Sequence, residues 1–297
     1  MRIRGSTKVC WILGYPLKHS LSPLMHNAAF SVLGMDYVYV PFEVSPGGLA
    51  SAIEALRRME NFVGANVTVP HKIQAMKYLD GWDFEAEQIG AVNTLFKKEG
   101  RLWGGNTDGR GFLASLQEEA DFDPEGKQIM LLGAGGAARA VAQTLIQEKV
   151  DRIYLVNRTV EKAHQLVSLW EEIPGIQALV PMGFSDPLFP GRLQESHLLV
   201  NSTSVGLSGE DPFLFDYRLL PKDLVVCDLI YDPNPTPLLK AAQERGCPTL
   251  SGLGMLIYQG ALSFEIWTGR PAPVKEMRRA VEMKCDNLLD RAGRANL

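Results

Sequence analysis

The residue set with the clearest chemistry in this chain of 297 residues is a glycine-rich turn, Gly133-Ala134-Gly135-Gly136-Ala137-Ala138. It follows an apolar run, Ile129 to Leu132, and opens a helical pattern from Ala137 to Gln147; a second apolar run, Ile153 to Val156, completes a βαβ unit. A G-x-G-x-x-A turn carries no side chain where the backbone must approach a pyrophosphate, and it leads into a helix whose unpaired N–H groups favour negative charge. That is the chemistry of dinucleotide binding. The end of the second strand decides which dinucleotide. A carboxylate there would accept a hydrogen bond from a free ribose 2′-hydroxyl and would repel a 2′-phosphate, by about 4 kcal/mol per unit-charge pair at ~4 Å and an effective dielectric near 20. This chain has neutral Asn157 instead, then Arg158 and Thr159, with Lys162 one helical turn on. A planar, permanently charged guanidinium suits a phosphate. The pattern predicts NADP(H) as the cofactor; the plainer alternative is a strand-turn-helix of small residues with a solvated basic face.

Three polar constellations lie upstream, each in a glycine- or proline-marked turn beside a strand end, where ligands of α/β sheets are met. The first, Gly14-Tyr15-Pro16-Leu17-Lys18-His19-Ser20-Leu21-Ser22-Pro23, offers the hydroxyls of Ser20 and Ser22 to a carboxylate or to hydroxyls. Ser22 can equally cap the helix that Pro23 begins. The second, Gly64 to Lys72, brings Thr68 and Lys72 to the end of a strand, although a lone lysine after a proline usually faces solvent. The third, Gly104 to Gly111, places Asp108 at a helix start, where an aspartate is also an ordinary cap. Between them, Gly90-Ala91-Val92-Asn93-Thr94 contributes an amide that both donates and accepts.

The elements that must position these groups alternate strand and helix. Val9 to Leu13, Tyr37 to Val40, Phe62 to Val69 and Val92 to Phe96 read as strands, and Leu49 to Met59 carries helical periodicity. After Thr159 come a helix to about Trp170, strands at Leu198 to Val200 and Leu224 to Asp228, and a proline-rich turn, Asp232 to Pro237. A helix from Leu238 to Glu244, an apolar helix from about Leu253 to Thr268 and a charged final helix, Pro273 to Leu289, complete the chain. The expected architecture is α/β: a substrate-binding domain with a mainly parallel sheet over residues 1–107 and a Rossmann-type domain over 108–254. The helices from about 255 to 297 should pack back on the first domain, with the active site in the cleft between the two.

Composition restricts the function. With 46% hydrophobic and 22% charged residues the chain is globular, and a formal net charge of −4 leaves no electrostatic footprint for nucleic acid. Cys10, Cys227, Cys247 and Cys285 are scattered, which indicates buried thiols rather than a disulfide framework or a zinc site. The five histidines do not form a ligand pair on one helix, so no metal is expected; His19 and His26 should orient loops or pack. The N-terminus shows no secretory pattern and no apolar run reaches 18 residues, so the expected setting is the cytoplasm and the expected partner a small molecule, not a membrane.

Taken together, the motifs closely resemble the shikimate dehydrogenase family over almost the whole chain. The resemblance runs through His19 to Pro23, Met25-His26-Asn27, Asn66 to Lys72, Gly90 to Thr94, Asn106 to Gly111, Gly133 to Ala137, Asn157 to Thr159, Asn201 to Gly206, and Gly252 to Leu256 with Gln259. It implies reversible, NADPH-dependent reduction of 3-dehydroshikimate to shikimate on the way to chorismate and the aromatic amino acids, by a monomer or homodimer. The family's substrate residues carry over to Ser20, Ser22, Thr68, Lys72, Asn93, Asp108, Tyr231 and Gln259. Its cofactor residues carry over to Gly133, Ala134, Gly135, Gly136, Ala137, Asn157, Arg158, Thr159, Lys162, Leu229 and Gly252. Met255 is placed near the nicotinamide by the same likeness, although its apolar stretch reads by itself as core. Lys162 stands where some members carry a second arginine, and Leu229 where some carry methionine.

Hydride transfer leaves the protein one proton to manage. On this reading Lys72 is the proton donor during reduction, kept an ammonium by neighbouring Asp108, which orients it and shares the substrate hydroxyl. The nearest rival is a quinate or dual quinate/shikimate dehydrogenase; the pocket around Ser20, Ser22 and Thr68 would decide, and Ser22 resembles the shikimate-selective pattern. A remote alternative is a non-catalytic NADP-binding regulator, which would be expected to lose Lys72 or Asp108.

Overall fold

The computed structural model describes residues 3–207, 211–231 and 234–295, with side chains described as far as Lys284. The chain divides into two compact units, Met1–Gly111 with Ile257–Leu297, and Phe112–Leu256.

The first unit contains β1 (Lys8–Gly14), α1 (Ser22–Val32), β2 (Tyr37–Glu43), α2 (Leu49–Arg58), β3 (Phe62–Val67), β4 (Gly81–Trp82), α3 (Phe84–Ile89), β5 (Thr94–Lys98), β6 (Arg101–Gly105) and the start of α4 (Asp108–Ala120). Its six strands lie in the order β2-β1-β3-β5-β6-β4. β1 pairs parallel with β2 and β3, and β4 parallel with β6, while β5 runs antiparallel to both β3 and β6. The sheet is thus parallel-rich with one reversed strand. Glu99 and Gly100, both with positive φ, turn β5 directly back into β6. Helix α2 buries Leu49, Ala52, Ile53 and Leu56, a spacing of three and four residues that makes one apolar stripe against the sheet.

The second unit is built from β7 (Gln128–Leu132), α5 (Gly136–Gln147), β8 (Arg152–Val156), α6 (Val160–Leu169), β9 (Leu179–Met182), α7 (Phe189–Glu195), β10 (Leu198–Asn201), β11 (Val225–Asp228), α8 (Pro237–Glu244) and β12 (Thr249–Ser251). All six strands are parallel, in the order β12-β11-β10-β7-β8-β9. This is the doubly wound arrangement, with the order reversing between β7 and β10. Both faces are buried, which explains why the strands read as continuous apolar runs rather than alternating ones. Ile129, Leu131, Ile153, Leu155, Leu198 and Val200 enter the core shared with α5 and α6. Met130, Leu132, Tyr154, Val156 and Leu199 enter the core shared with α7 and α8.

Helix α9 (Gly252–Thr268) and helix α10 (Val274–Ala295) end the chain, and α10 packs on α1. From Ile257 onward α9 belongs to the first unit, where Phe264 meets Phe30 and the Trp267 indole donates to Leu95 O at 3.0 Å. Gly64 makes room for that indole, since a Cβ there would collide with its ring.

Several boundaries differ from expectation. β3 stops at Val67 rather than Val69, because Thr68 and the residues after it turn away. The strand expected from Val92 begins at Thr94; the Val92 and Asn93 N–H groups go to Lys72 O and Gly105 O. Ser22 is not a cap: α1 starts at Ser22 itself, Leu21 occupies the cap position, and no side chain caps the helix. Cys10, Cys227 and Cys247 are buried free thiols; the Cys285 side chain and the Asp232-Pro233 start of the proline-rich turn lie outside the described residues. Thr236 caps α8 by accepting from Leu239 N, with Pro237 at the first helical position. Among the described residues no helix is long and apolar enough to cross a membrane.

Candidate active site

In the first unit the polar constellations gather at the ends of β1, β3 and β6. β1 and β3 run parallel, so their last residues are neighbours. Thr68 N donates to Leu13 O at 2.8 Å and Tyr15 N to Val69 O at 3.0 Å. Gly14 permits the approach, since a Cβ there would collide with Thr68 Cγ2 and lie 3.1 Å from Val69 O. The loop from Gly14 to Ser22 and the loop from Thr68 to Lys72 are thereby stitched together. His71 anchors the second loop through a 2.6 Å hydrogen bond between its Nε2 and Val44 O.

Lys72 Nζ donates to Asp108 Oδ2 at 2.6 Å, with side-chain exposures of 16% and 5%. Asp108 is the first residue of α4, where the helix N-terminus favours a carboxylate. Its other oxygen, Oδ1, accepts from Asn93 Nδ2 at 2.8 Å, so the side chain serves Lys72 and Asn93. Asn106 shapes the approach to the helix: its Oδ1 accepts from Asp108 N at 3.0 Å and its Nδ2 donates to Ala91 O. Gln259 Oε1 lies 3.2 Å from the Asn93 amide nitrogen. Gly111 sets this contact, because a Cβ at that position would stand 2.5 Å from Gln259 N. Lys72, Asn93, Asp108 and Gln259 thus form one hydrogen-bonded quartet. A buried pair of opposite charges is tolerable only with its remaining lone pairs satisfied, which Asn93 accomplishes for the carboxylate.

Sequence reading missed the support beneath the quartet. Ser263, fully buried one turn after Gln259 on α9, contacts Thr94 Oγ1 at 2.7 Å and Thr107 Oγ1 at 3.2 Å and accepts from Asn66 Nδ2 at 3.0 Å. Thr107 N in turn donates to Asn93 Oδ1 at 2.9 Å. The available signal was the single serine of a largely apolar helix, four residues from a glutamine on the same face. His26 packs, as expected: its ring stacks on Tyr39 with centroids 4.4 Å apart, and burial pushes its pKa down to about 3. His19 is exposed.

Ser20, Ser22 and Thr68 are not hydrogen-bonded to the quartet among the described residues. Ser22 is 4% exposed, and the Ser20 hydroxyl oxygen is buried without a partner, an arrangement that suits a ligand oxygen. Tyr231 belongs to the second unit, where burial raises its phenol above the ordinary range.

In the second unit the glycine turn lies at the end of β7, at the switch in strand order. Gly133 has φ +108, a conformation that favours glycine, and its N–H donates to Val156 O at 2.8 Å. Gly135 is the cap residue of α5 with no side-chain cap, and a Cβ built on it would meet nothing within 4 Å. The backbone is therefore bare at the helix start, as close approach of a pyrophosphate requires. At the end of β8, Asn157 Nδ2 donates to Thr159 O at 2.8 Å and closes the turn, while Arg158 and Lys162 are exposed. These groups fit an NADP dinucleotide. Gly252 fits tightly for another reason: a Cβ there would overlap the Leu229 carbonyl. The Leu229 turn is held by Asp228, whose carboxylate accepts from Thr236 Oγ1, Asn201 Nδ2 and Ile230 N; burial raises its pKa and these bonds oppose the rise. Met255 is buried in the core with Phe112, Leu116 and Leu131.

Known proteins match this chain along most of its length. The family described as shikimate dehydrogenase substrate binding domain matches residues 12–95, shikimate / quinate 5-dehydrogenase matches 115–184, and the shikimate 5′-dehydrogenase C-terminal domain matches 252–282. The shikimate dehydrogenase (NADP(+)) of Desulforamulus reducens is 45% identical over 283 residues, covering 94% of this chain and 96% of its own. A crystal structure of a shikimate dehydrogenase in complex with NADP+ superimposes with a TM-score of 0.87 at 41% identity, covering 96% of this chain and 98% of the other. A shikimate 5-dehydrogenase from Listeria monocytogenes, in complex with shikimate and NAD, gives 0.84 at 38% identity, covering 94% and 98%. The chain belongs to the shikimate dehydrogenase family of NADP-dependent oxidoreductases.

Proposed function

We propose that this protein catalyses the reversible, NADPH-dependent reduction of 3-dehydroshikimate to shikimate, with Lys72 and Asp108 handling the proton. The observation that carries the reading is the 2.6 Å Lys72–Asp108 pair, part-buried and tied through Asn93 to Gln259. Bound NADPH supplies a hydride to the ring carbonyl carbon. The protein must then deliver one proton to the carbonyl oxygen as it gains charge. The Lys72 ammonium gives up that proton, the C–O double bond becomes a hydroxyl, and solvent reprotonates the amine. Asp108 holds the ammonium in place and accepts from the new hydroxyl, while Asn93 fixes the carboxylate's orientation. The remaining substrate groups fall to Ser20, Ser22, Thr68, Gln259 and Tyr231, with the unpartnered Ser20 hydroxyl suited to the carboxylate. Gly133 to Ala137 cradle the pyrophosphate, and Asn157, Arg158, Thr159 and Lys162 receive the 2′-phosphate. Leu229, Gly252 and Met255 complete the cofactor residues of this reading.

Initial rates with NADPH and NADH, on 3-dehydroshikimate in one direction and on shikimate and quinate in the other, test the proposal. Efficient NADPH consumption with 3-dehydroshikimate and a marked preference for shikimate over quinate are expected. Higher catalytic efficiency on quinate would overturn the substrate assignment, and tight NADPH binding without turnover would favour a regulator.

A further inference from the structure

One cation near the glycine turn has no counter-charge. Arg139 is the fourth residue of α5, and its N–H makes the first helical bond, to Gly135 O at 3.0 Å. Its side chain is half-buried, its Nε is enclosed without a hydrogen-bond partner, and no acidic group pairs with it among the described residues. Burial pushes the guanidinium's pKa down, with no neighbouring charge acting the other way. Gln143, one turn later, also leaves its Oε1 unpartnered, so the two side chains do not satisfy each other. Withdrawing a cation from water without an anion is costly.

Helix geometry gives this side chain a direction. Helical side chains lean toward the N-terminus, over the residues three and four positions back. For Arg139 those positions are Gly136 and Gly135, which present no side chain, and the space beside Gly135 is open to at least 4 Å. Over those two positions the start of α5 offers only bare backbone. Arg158 and Lys162 are on a different element, the turn and helix after β8.

We propose that Arg139 is a further cofactor-binding residue whose guanidinium grips the pyrophosphate of NADP(H), a task separate from that of Arg158 at the 2′-phosphate. The inference rests on reading the glycine turn as the dinucleotide cradle. A planar fork of donors matches two phosphate oxygens, and the bound pyrophosphate supplies the missing negative charge.

Because NADP+ and NAD+ share the pyrophosphate and differ in the 2′-phosphate, calorimetric dissociation constants for both separate the roles. Arg139→Met should weaken both dinucleotides by roughly tenfold, the size of one charge-assisted contact, and leave their ratio unchanged. Arg139→Lys should recover part of the loss, and Arg158→Ala should change the ratio instead. Unchanged affinities in folded Arg139→Met, or a loss confined to NADP+, would overturn the proposal; Arg139→Gln carries the same expectation should the methionine variant fail to fold. If the wild-type protein bound neither dinucleotide, the cradle itself would be refuted, a result distinct from failure of Arg139 alone.

Discussion

The Lys72–Asp108 pair of the first unit and the cations after β8 in the second are held in opposite ways. In the first, Lys72 and Asp108 are already paired, nearly buried and braced by Asn93, Thr107 and Ser263. In the second, Arg158 and Lys162 stand in solvent and the helix start at Gly135 is bare. Under the function proposed above, Lys72 and Asp108 handle a proton, which needs a fixed donor and a fixed orienting carboxylate, whereas Arg158, Lys162 and the helix start at Gly135 receive a polyanion, which needs donors left free because each internal partner would have to be displaced first.

That contrast can be broken at several points. The largest effect is expected at Lys72: Lys72→Ala should lower turnover by roughly 10²–10⁴-fold, as for a lost acid–base group, with a smaller change in the Michaelis constant and unchanged NADP+ affinity. Turnover in folded Lys72→Ala that matches the wild type would remove Lys72 from the role. Next comes Gly135→Ala. Its φ of −88 and the empty space around a Cβ allow alanine, so thermal stability should hold or rise slightly. Dinucleotide affinity should nonetheless fall by about tenfold or more, because the methyl group occupies the pyrophosphate approach. Equal loss of stability and affinity would mean that the glycine serves the fold.

A similar effect is expected at Arg158, where alanine should reduce the preference for NADP+ over NAD+ by roughly tenfold, measured by calorimetry and shrinking with salt. A change in turnover without a change in that preference would contradict the division of labour. The last prediction concerns stability rather than activity or affinity. His26 falls from the ordinary 6.5 to about 3 in the folded protein, so between these values the unfolded chain binds more protons. Its contribution is fully present above pH 6.5 and is lost as pH falls toward 3. Urea unfolding across that range should show declining stability, and His26→Phe should make the decline shallower; an unchanged slope would show that other groups set it.

Much of this was legible in the chain because its causes are local. The glycine turn, the basic turn after β8 and the apolar runs of the second unit carry their reason within a few neighbours: bare backbone, a missing carboxylate, strands buried on both faces. Ser22 was misread as an alternative cap because a serine before a proline has the same local signature whether the helix begins at it or after it. Ser263 was overlooked because its partners, Asn66, Thr94 and Thr107, are distant in sequence. Asp108 has the local signature of an ordinary cap, and its partners Lys72 and Asn93 lie 36 and 15 positions away in sequence.

By itself, then, the amino-acid order determined the α/β class, the glycine-rich turn after β7, the cations after β8 and the set of polar residues available for chemistry. These depend on side-chain type and short-range backbone preference. Only the tertiary structure decided that β5 runs against its neighbours, that Lys72 meets Asp108 across 36 positions and that Ser263 supports the quartet. Such contacts are set by strand register and by close approaches at Gly14, Gly64 and Gly111, where the absence of a side chain in one segment makes room for a group from another.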